Sequence, residues 1–262
     1  MAKKTQVTKA TKAEIEELPF DMSADMGAGM EGADSDSFAI PFLVVLQKMS
    51  PQCDEGQPGY LEDAKPGMLF NTVTGELYDG KEGVLFLPCA FQRRYILWGP
   101  RGSGNSFMGE YLPSEVEEMK RDGRLKEVEG RLYAPDERGE VNEKRSPRMV
   151  DTRSHFGLVV NGSNVTPVVM PLRSTQIKKS KQLMSMLQGV KINGKTPPTW
   201  ANQIRITTVA EANDEGSWHG VRFQPEGFVQ SRELYEAGRE FYKAITKGEV
   251  KVDYAKSDGE ET

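Results

Sequence analysis

Short apolar runs bounded by turn residues recur along the chain, and their spacing predicts strands more often than helices. Gly67 to Val73 and Glu76 to Tyr78 flank a Thr74-Gly75 turn, and Gly83 to Trp98 is a long run of strand formers interrupted at Pro88. His155 to Val160 and Val165 to Leu172 are apolar, β-branched runs joined by Asn161-Gly-Ser-Asn164, and Asn-Gly between two such runs is a strong hairpin signal. A second hairpin is expected from Gln203 to Ala210, a turn at Asn213 to Gly216, and Ser217 to Gln224. Helical spacing is rarer. Ser114 to Arg121 offers Ser114 and Glu117 as a capping box and stops at Gly123. Ser174 to Gln188 puts Ile177, Met184 and Leu187 on one side, with Lys178, Lys179 and Lys181 mostly off it. Ser231 to Lys247 spaces Leu234, Ala237, Phe241 and Ile245 for one face and ends at Gly248. Sequential hairpins with isolated helices between them predict an α+β fold, mainly antiparallel β, as a sheet or small barrel with appended helices.

The pattern fades at both ends. Residues 1–37 begin with Lys3, Lys4, Lys9 and Lys12 and then run through a Met/Gly/Ala/Asp stretch with no periodicity, so a disordered N-terminal arm is expected, with a short helix at Lys12 to Leu18. Residues 38–247 form the expected domain, and residues 248–262 an acidic flexible C-terminal tail. The basic start has no apolar stretch after it, and the longest mostly apolar run, Phe38 to Leu46, is far short of the roughly 20 residues that span a bilayer. A cytoplasmic, intracellular protein is therefore expected. Two cysteines and two histidines are too few for a disulfide scaffold or a structural zinc, so neither metal nor cofactor is expected.

Charge changes the picture more than composition does. The net charge of -5 suggests no affinity for polyanions, but Lys144 to Arg205 carries eleven basic residues against one acid, Asp151. Its neighbour, Glu110 to Glu143, has eleven acids against six basic residues, so a basic and an acidic surface held apart are expected. A second acid-free stretch, Val84 to Gly109, places Arg93, Arg94 and Arg101 among Tyr95, Trp98 and Phe107. In a strand, Gln92, Arg94, Ile96 and Trp98 point one way and Arg93, Tyr95 and Leu97 the other. Arginine beside aromatic residues on an exposed strand suits single-stranded nucleic acid, because guanidinium groups take phosphates while rings stack unpaired bases. The competing reading is that the aromatics fill the core. Trp200 has the same ambiguity. Lys178, Lys179 and Lys181 sit early in their helix, where cations oppose the macrodipole and a phosphate backbone would offset that cost.

Enzymatic chemistry finds little support. Gly99 to Ser106 has the spacing of a phosphate-binding loop but Asn105 where the lysine is needed, and Gly109 and Pro113 break the helix that should follow. It reads better as a flexible loop between strands, basic at Arg101. His155 and His219 stand in expected strands without a nucleophile elbow or a cysteine partner, which suits packed or surface imidazoles. No catalytic residue is expected.

Ile40-Pro-Phe-Leu, Leu46-Gln-Lys-Met-Ser-Pro51, Phe70-Asn-Thr-Val-Thr-Gly75 and Pro88-Cys-Ala-Phe-Gln-Arg-Arg-Tyr95 resemble segments of bacteriophage single-stranded DNA-binding proteins of the OB-fold type. The resemblance covers roughly residues 38–247 and is one of layout. It implies an OB-like small barrel with a basic, aromatic-lined groove, and an acidic tail that recruits replication or recombination partners. The chain departs from that pattern at Asp258-Gly-Glu-Glu-Thr262, which lacks a terminal aromatic residue. The function so implied is non-enzymatic coating of single-stranded DNA in phage replication or recombination. Arg93, Arg94, Arg101, Arg173, Lys178, Lys179 and Lys181 would hold phosphates, and Tyr95, Trp98, Phe107 and Trp200 would stack bases. RNA is permitted by the same surface. The alternative is a phage virion or host-interaction protein whose basic face binds an acidic protein partner.

Overall fold

The computed structural model describes residues 28, 29, 31, 39–100, 107–214 and 216–254. The chain divides into Met1–Phe38 and Ala39–Thr262, and the account below concerns the second unit. Most of the expected arm with its short helix, Arg101 with most of its loop, and residues 255–262 lie outside the described residues.

The strands in chain order are β1 (Leu43–Val45), β2 (Leu69–Asn71), β3 (Leu77–Tyr78), β4 (Val84–Trp98), β5 (Phe107–Tyr111), β6 (Lys126–Val128), β7 (Arg131–Tyr133), β8 (Arg148–Asn161), β9 (Asn164–Arg173), β10 (Asn202–Asn213) and β11 (Gly216–Phe228). The helices are α1 (Pro113–Arg121), α2 (Ile177–Gly189) and α3 (Arg232–Thr246). The named strands pair antiparallel, which establishes the α+β class. They form a three-stranded sheet, β1-β2-β3, and an eight-stranded sheet ordered β11-β10-β4-β8-β7-β6, with β5 beside β4 and β9 beside β8. No closed barrel is found among the described strands. No helix of the described residues is long and apolar enough to cross a membrane.

The long β4–β8 pair is the spine. It runs from Leu85↔Val160 to Trp98↔Arg148, with β10 joining β4 at Val84 to Phe86 and β5 joining it at Tyr95 to Trp98. The pairing shifts register between Pro88 and Ala90, so Cys89 is the extra residue of a bulge beside a proline that has no N–H to give. Opposite the bulge, a Cβ on Gly157 would fall 2.2 Å from the Phe86 ring and 2.3 Å from the Leu87 carbonyl oxygen, so only glycine fits. Both Asn-bounded hairpins form, with Asn161↔Asn164 and Asn213↔Gly216 closing them.

The sheet is covered on both faces, which explains why β9 reads as a continuous apolar run instead of an alternation. Val168, Met170 and Leu172 pack with Phe86, Ile204, Ile206, Leu183 and Leu187 on one side. Val169 packs with Phe42, Ile96, Trp98, Phe156 and Ile245 on the other. Tyr254 belongs to this second core at 1% exposure, and its hydroxyl is 2.8 Å from that of Ser154. Val250 and Val252 pack there too, so the flexible tail expected from Gly248 is corrected for the chain up to Tyr254. Burial pushes the Tyr254 phenol up to about 12.

Two helix details differ from expectation. The α1 cap comes two residues earlier than Ser114, with the Glu115 carboxylate accepting from the Leu112 N–H and Pro113 opening the helix. The buried face of α2 is Ser180, Leu183 and Leu187, rotated from the expected Ile177, Met184 and Leu187, because Ser180 meets the buried His155. The α3 start is as expected, the Ser231 hydroxyl accepting from the Leu234 N–H at 3.2 Å.

Candidate functional site

Two attachments fix α2, and they decide which of its lysines face outward. The first is to β8, where His155 Nε2 and Ser180 Oγ lie 2.8 Å apart in the interior. Burial first, and then the nearby Arg153 charge, hold the His155 imidazole down at about 3, so it is a neutral packing and hydrogen-bonding group. The second is to the β10–β11 ribbon. Glu211 and Trp218 stand directly opposite each other on it, and Trp218 Nε1 donates to Glu211 Oε2 at 3.0 Å. Lys179 Nζ reaches Glu211 Oε1 at 2.8 Å, and Gln176 Nε2 donates to Oε2 at 3.2 Å while its Oε1 accepts from the Val221 N–H at 3.1 Å. Gly220 leaves the room for this, since a Cβ there would lie 2.5 Å from Glu211 and 2.8 Å from the Gln176 amide. Burial works to raise the Glu211 carboxyl, but the hydrogen bonds from Lys179, Gln176 and Trp218 outweigh it and hold the group below its usual range.

The start of α2 separates two clefts that share Ser174, a residue at φ 48°. The larger, about 580 Å³, is lined by Ser174, Thr175, Lys178, Glu211, Ala212, Asn213 and Trp218. The smaller, about 260 Å³, is lined among others by Tyr95, Glu127, Arg131, Arg148, Asp151 and Ile177. Together they make a path with Trp218 and Lys178 at one end and Tyr95, Arg131 and Arg148 at the other.

The residues singled out in the sequence are distributed unevenly along this path. Arg93 and Tyr95 share a face as expected, the guanidinium carbon lying 5.2 Å from the ring centroid and Nη2 donating to the Tyr95 hydroxyl at 2.7 Å. Arg93 is also forked onto Asp151, with Nη2 to Oδ2 at 2.8 Å, and that hydrogen bond is the main reason its affinity for a proton is raised. Arg94 lies on the other face, where Nε meets Glu110 of β5 at 2.9 Å. The expected separation of acidic and basic surfaces is incomplete: Glu127 of the acidic stretch lines the smaller cleft together with Arg148 of the basic one.

Trp98 is 6% exposed and belongs to the core, with Phe107 against it at 6.2 Å and Arg173 over its ring at 5.4 Å. Phe107 also stacks on Tyr254 at 6.5 Å. Trp200 packs on α3, 4.7 Å from Tyr242 between centroids, where Gly238 leaves space for it. Lys178 and Lys181 are exposed, while Lys179 is half-buried in its ion pair. Arg101 lies outside the described residues. Thus Tyr95 and Lys178 line the path, Arg93 is bonded to Tyr95 and Asp151 beside it, and Trp98, Phe107 and Trp200 are packed elsewhere. Missed in the sequence were Trp218, Glu211 and Arg131. The one available signal was the cross-strand register of the second hairpin, which sets Trp218 opposite Glu211.

Among the described residues no three His, Cys, Asp or Glu side chains are gathered to hold a metal ion. A family model described as Pam3 phage gp34-like protein matches residues 9–251. No curated protein and no solved structure matches the chain.

Proposed function

This chain belongs to the Pam3 phage gp34-like protein family and is a phage protein, and from that premise we propose that it binds single-stranded DNA without catalysis and with little sequence preference, in replication or recombination. The observation that carries this reading is the path across the start of α2, where Lys178, Arg131 and Arg148 accompany two aromatic side chains, Trp218 and Tyr95. Cations spaced between ring faces are what an unpaired strand uses, its phosphates on the charges and its bases on the rings. The likeness to OB-type proteins is one of binding mode in this proposal: a β framework presents basic and aromatic groups to the strand, and the protein acts in the host cytoplasm.

Anisotropy titration of a labelled dT oligonucleotide at two salt concentrations, with duplex DNA and RNA as competitors, tests the reading. Salt-sensitive binding that prefers the single strand is expected; no binding at low salt overturns it. A second reading is an interaction protein whose basic face, with Lys178 and Lys181 exposed on α2, meets an acidic protein. Recovery of a stoichiometric protein partner after nuclease treatment, without oligonucleotide affinity, would select it.

A further inference from the structure

The two clefts differ in what they can admit. Sites for small molecules run from about 300 to 1,000 Å³, so the 580 Å³ cleft is within that range and the 260 Å³ cleft below it. The larger one also holds a ring in a fixed position. Trp218 Nε1 is tied to Glu211, and Glu211 is tied in turn to Lys179 and Gln176, so little freedom is left to lose when something lies against the indole. The same ties neutralise the carboxylate, because Lys179 at 2.8 Å matches its charge. Lys178, the preceding residue on the helix, is exposed at the cleft beside Thr175. The chain has three tryptophans. Trp98 is in the core and Trp200 packs against α3, whereas Trp218 lines the cleft.

We propose that this cleft is the subsite for one unstacked nucleotide of a bound single strand, with the base on the Trp218 ring and the phosphate on the Lys178 ammonium. The inference rests on the nucleic-acid reading above and adds a place to it. Glu211 is a positioning residue in this arrangement: it orients the indole and takes up the Lys179 charge, which leaves Lys178 for the strand. The smaller cleft would carry the neighbouring sugar and phosphate past Arg131 and Arg148, beside the Tyr95 ring.

The full-length protein, titrated with a dT oligonucleotide, tests this through anisotropy and intrinsic tryptophan fluorescence, in wild type and in Trp218→Phe, Trp218→Leu and Lys178→Ala. The wild-type fluorescence should be quenched on binding, and Trp218→Leu should lose that quenching together with about 5- to 150-fold in affinity, the equivalent of about 1 to 3 kcal/mol for one stacked base. Trp218→Phe keeps a ring and should fall between the two. Lys178→Ala should bind more weakly while retaining the quenching. Unchanged affinity in Trp218→Leu, or full quenching in Trp218→Phe, overturns the subsite and leaves the nucleic-acid reading standing. Failure of the wild-type protein to bind at low salt overturns both, and equal binding of duplex DNA removes the unstacked base from the cleft.

Discussion

The end of β4 and the start of α2 are built from similar parts, and their outcomes differ. Each brings arginine or lysine next to a tryptophan, and each ties one of its cations to a carboxylate, Arg93 to Asp151 and Lys179 to Glu211. At the end of β4 the tryptophan faces inward, and Phe42, Phe107, Ile245 and Tyr254 close over it. At the start of α2 the tryptophan stands on a two-stranded ribbon where it borders a cleft. Charge and aromatic content alone do not separate these two regions. What separates them is the cover: a strand with elements packed on both sides turns its aromatics into core, and a ribbon that extends past its neighbours leaves them accessible.

The largest effect should come from removing that cover. Tyr254→Ala deletes a fully buried ring and should cost about 3 to 5 kcal/mol, the range for large aromatic truncations, read from urea unfolding. It should loosen the surroundings of Trp98 and leave the Trp218 environment unaltered, which near-ultraviolet circular dichroism and tryptophan fluorescence can tell apart. A loss under about 1 kcal/mol would mean that the segment after α3 is not part of the core.

Glu211→Gln acts on the other region. It keeps the shape but removes the charge facing Lys179, and a charge-assisted hydrogen bond of this kind contributes about 1.5 to 3 kcal/mol. The same change releases a cation, so oligonucleotide binding should strengthen and its salt dependence steepen by about 0.7 in log–log slope, the value for one further phosphate of a single strand. A variant with weaker binding and an unchanged slope would break the idea that the carboxylate restrains Lys179.

Acid should also act on the α2 side first. His155 is held down at about 3 in the folded protein against 6.5 ordinarily, so below about pH 6.5 the unfolded chain takes up a proton that the folded one does not. Its contribution to stability is complete above that pH and is lost as pH falls toward 3, at a limiting rate of about 1.4 kcal/mol per unit. Unfolding free energies at pH 7 and pH 5 should differ accordingly in wild type, and His155→Gln should lack that component. The smallest effect on the fold is expected from reversing Lys178 and Lys181, both exposed. Their double replacement by glutamate should leave the unfolding curve unchanged while lowering oligonucleotide affinity and flattening its salt dependence. Unaltered affinity would take α2 out of the site.

Much of the fold was legible in particular residues. Asn161-Gly162 marked the β8–β9 hairpin, Pro88 marked an interruption of β4 that the structure makes a bulge, Ser231 marked the α3 start, and Gly123 marked the end of α1. The short strands β1, β5, β6 and β7 were not legible, because each is only three to five residues long and is ordered by its pairing, β1 with β2, β5 with β4, β6 with β7 and β7 with β8. Tyr254 was hidden although Val250, Val252 and Tyr254 alternate with Lys251 and Asp253: three apolar positions beside a polar tail are a short signal, and the gap between Phe42 and Phe107 that the ring fills exists only in the folded core.

By itself, then, the sequence determined the α+β class, the two long hairpins, the place of the helices and the uneven distribution of charge. All of these follow from local rules, namely side-chain period, turn chemistry and capping. Only the tertiary structure decided which cations are matched and which aromatics are covered. Asp151, Glu110, Glu211 and Glu226 come from four different strands to meet their partners. Pairing across strands is set by register and packing between segments distant in the chain, so a count of charges along the sequence overstates the charge that the folded surface retains.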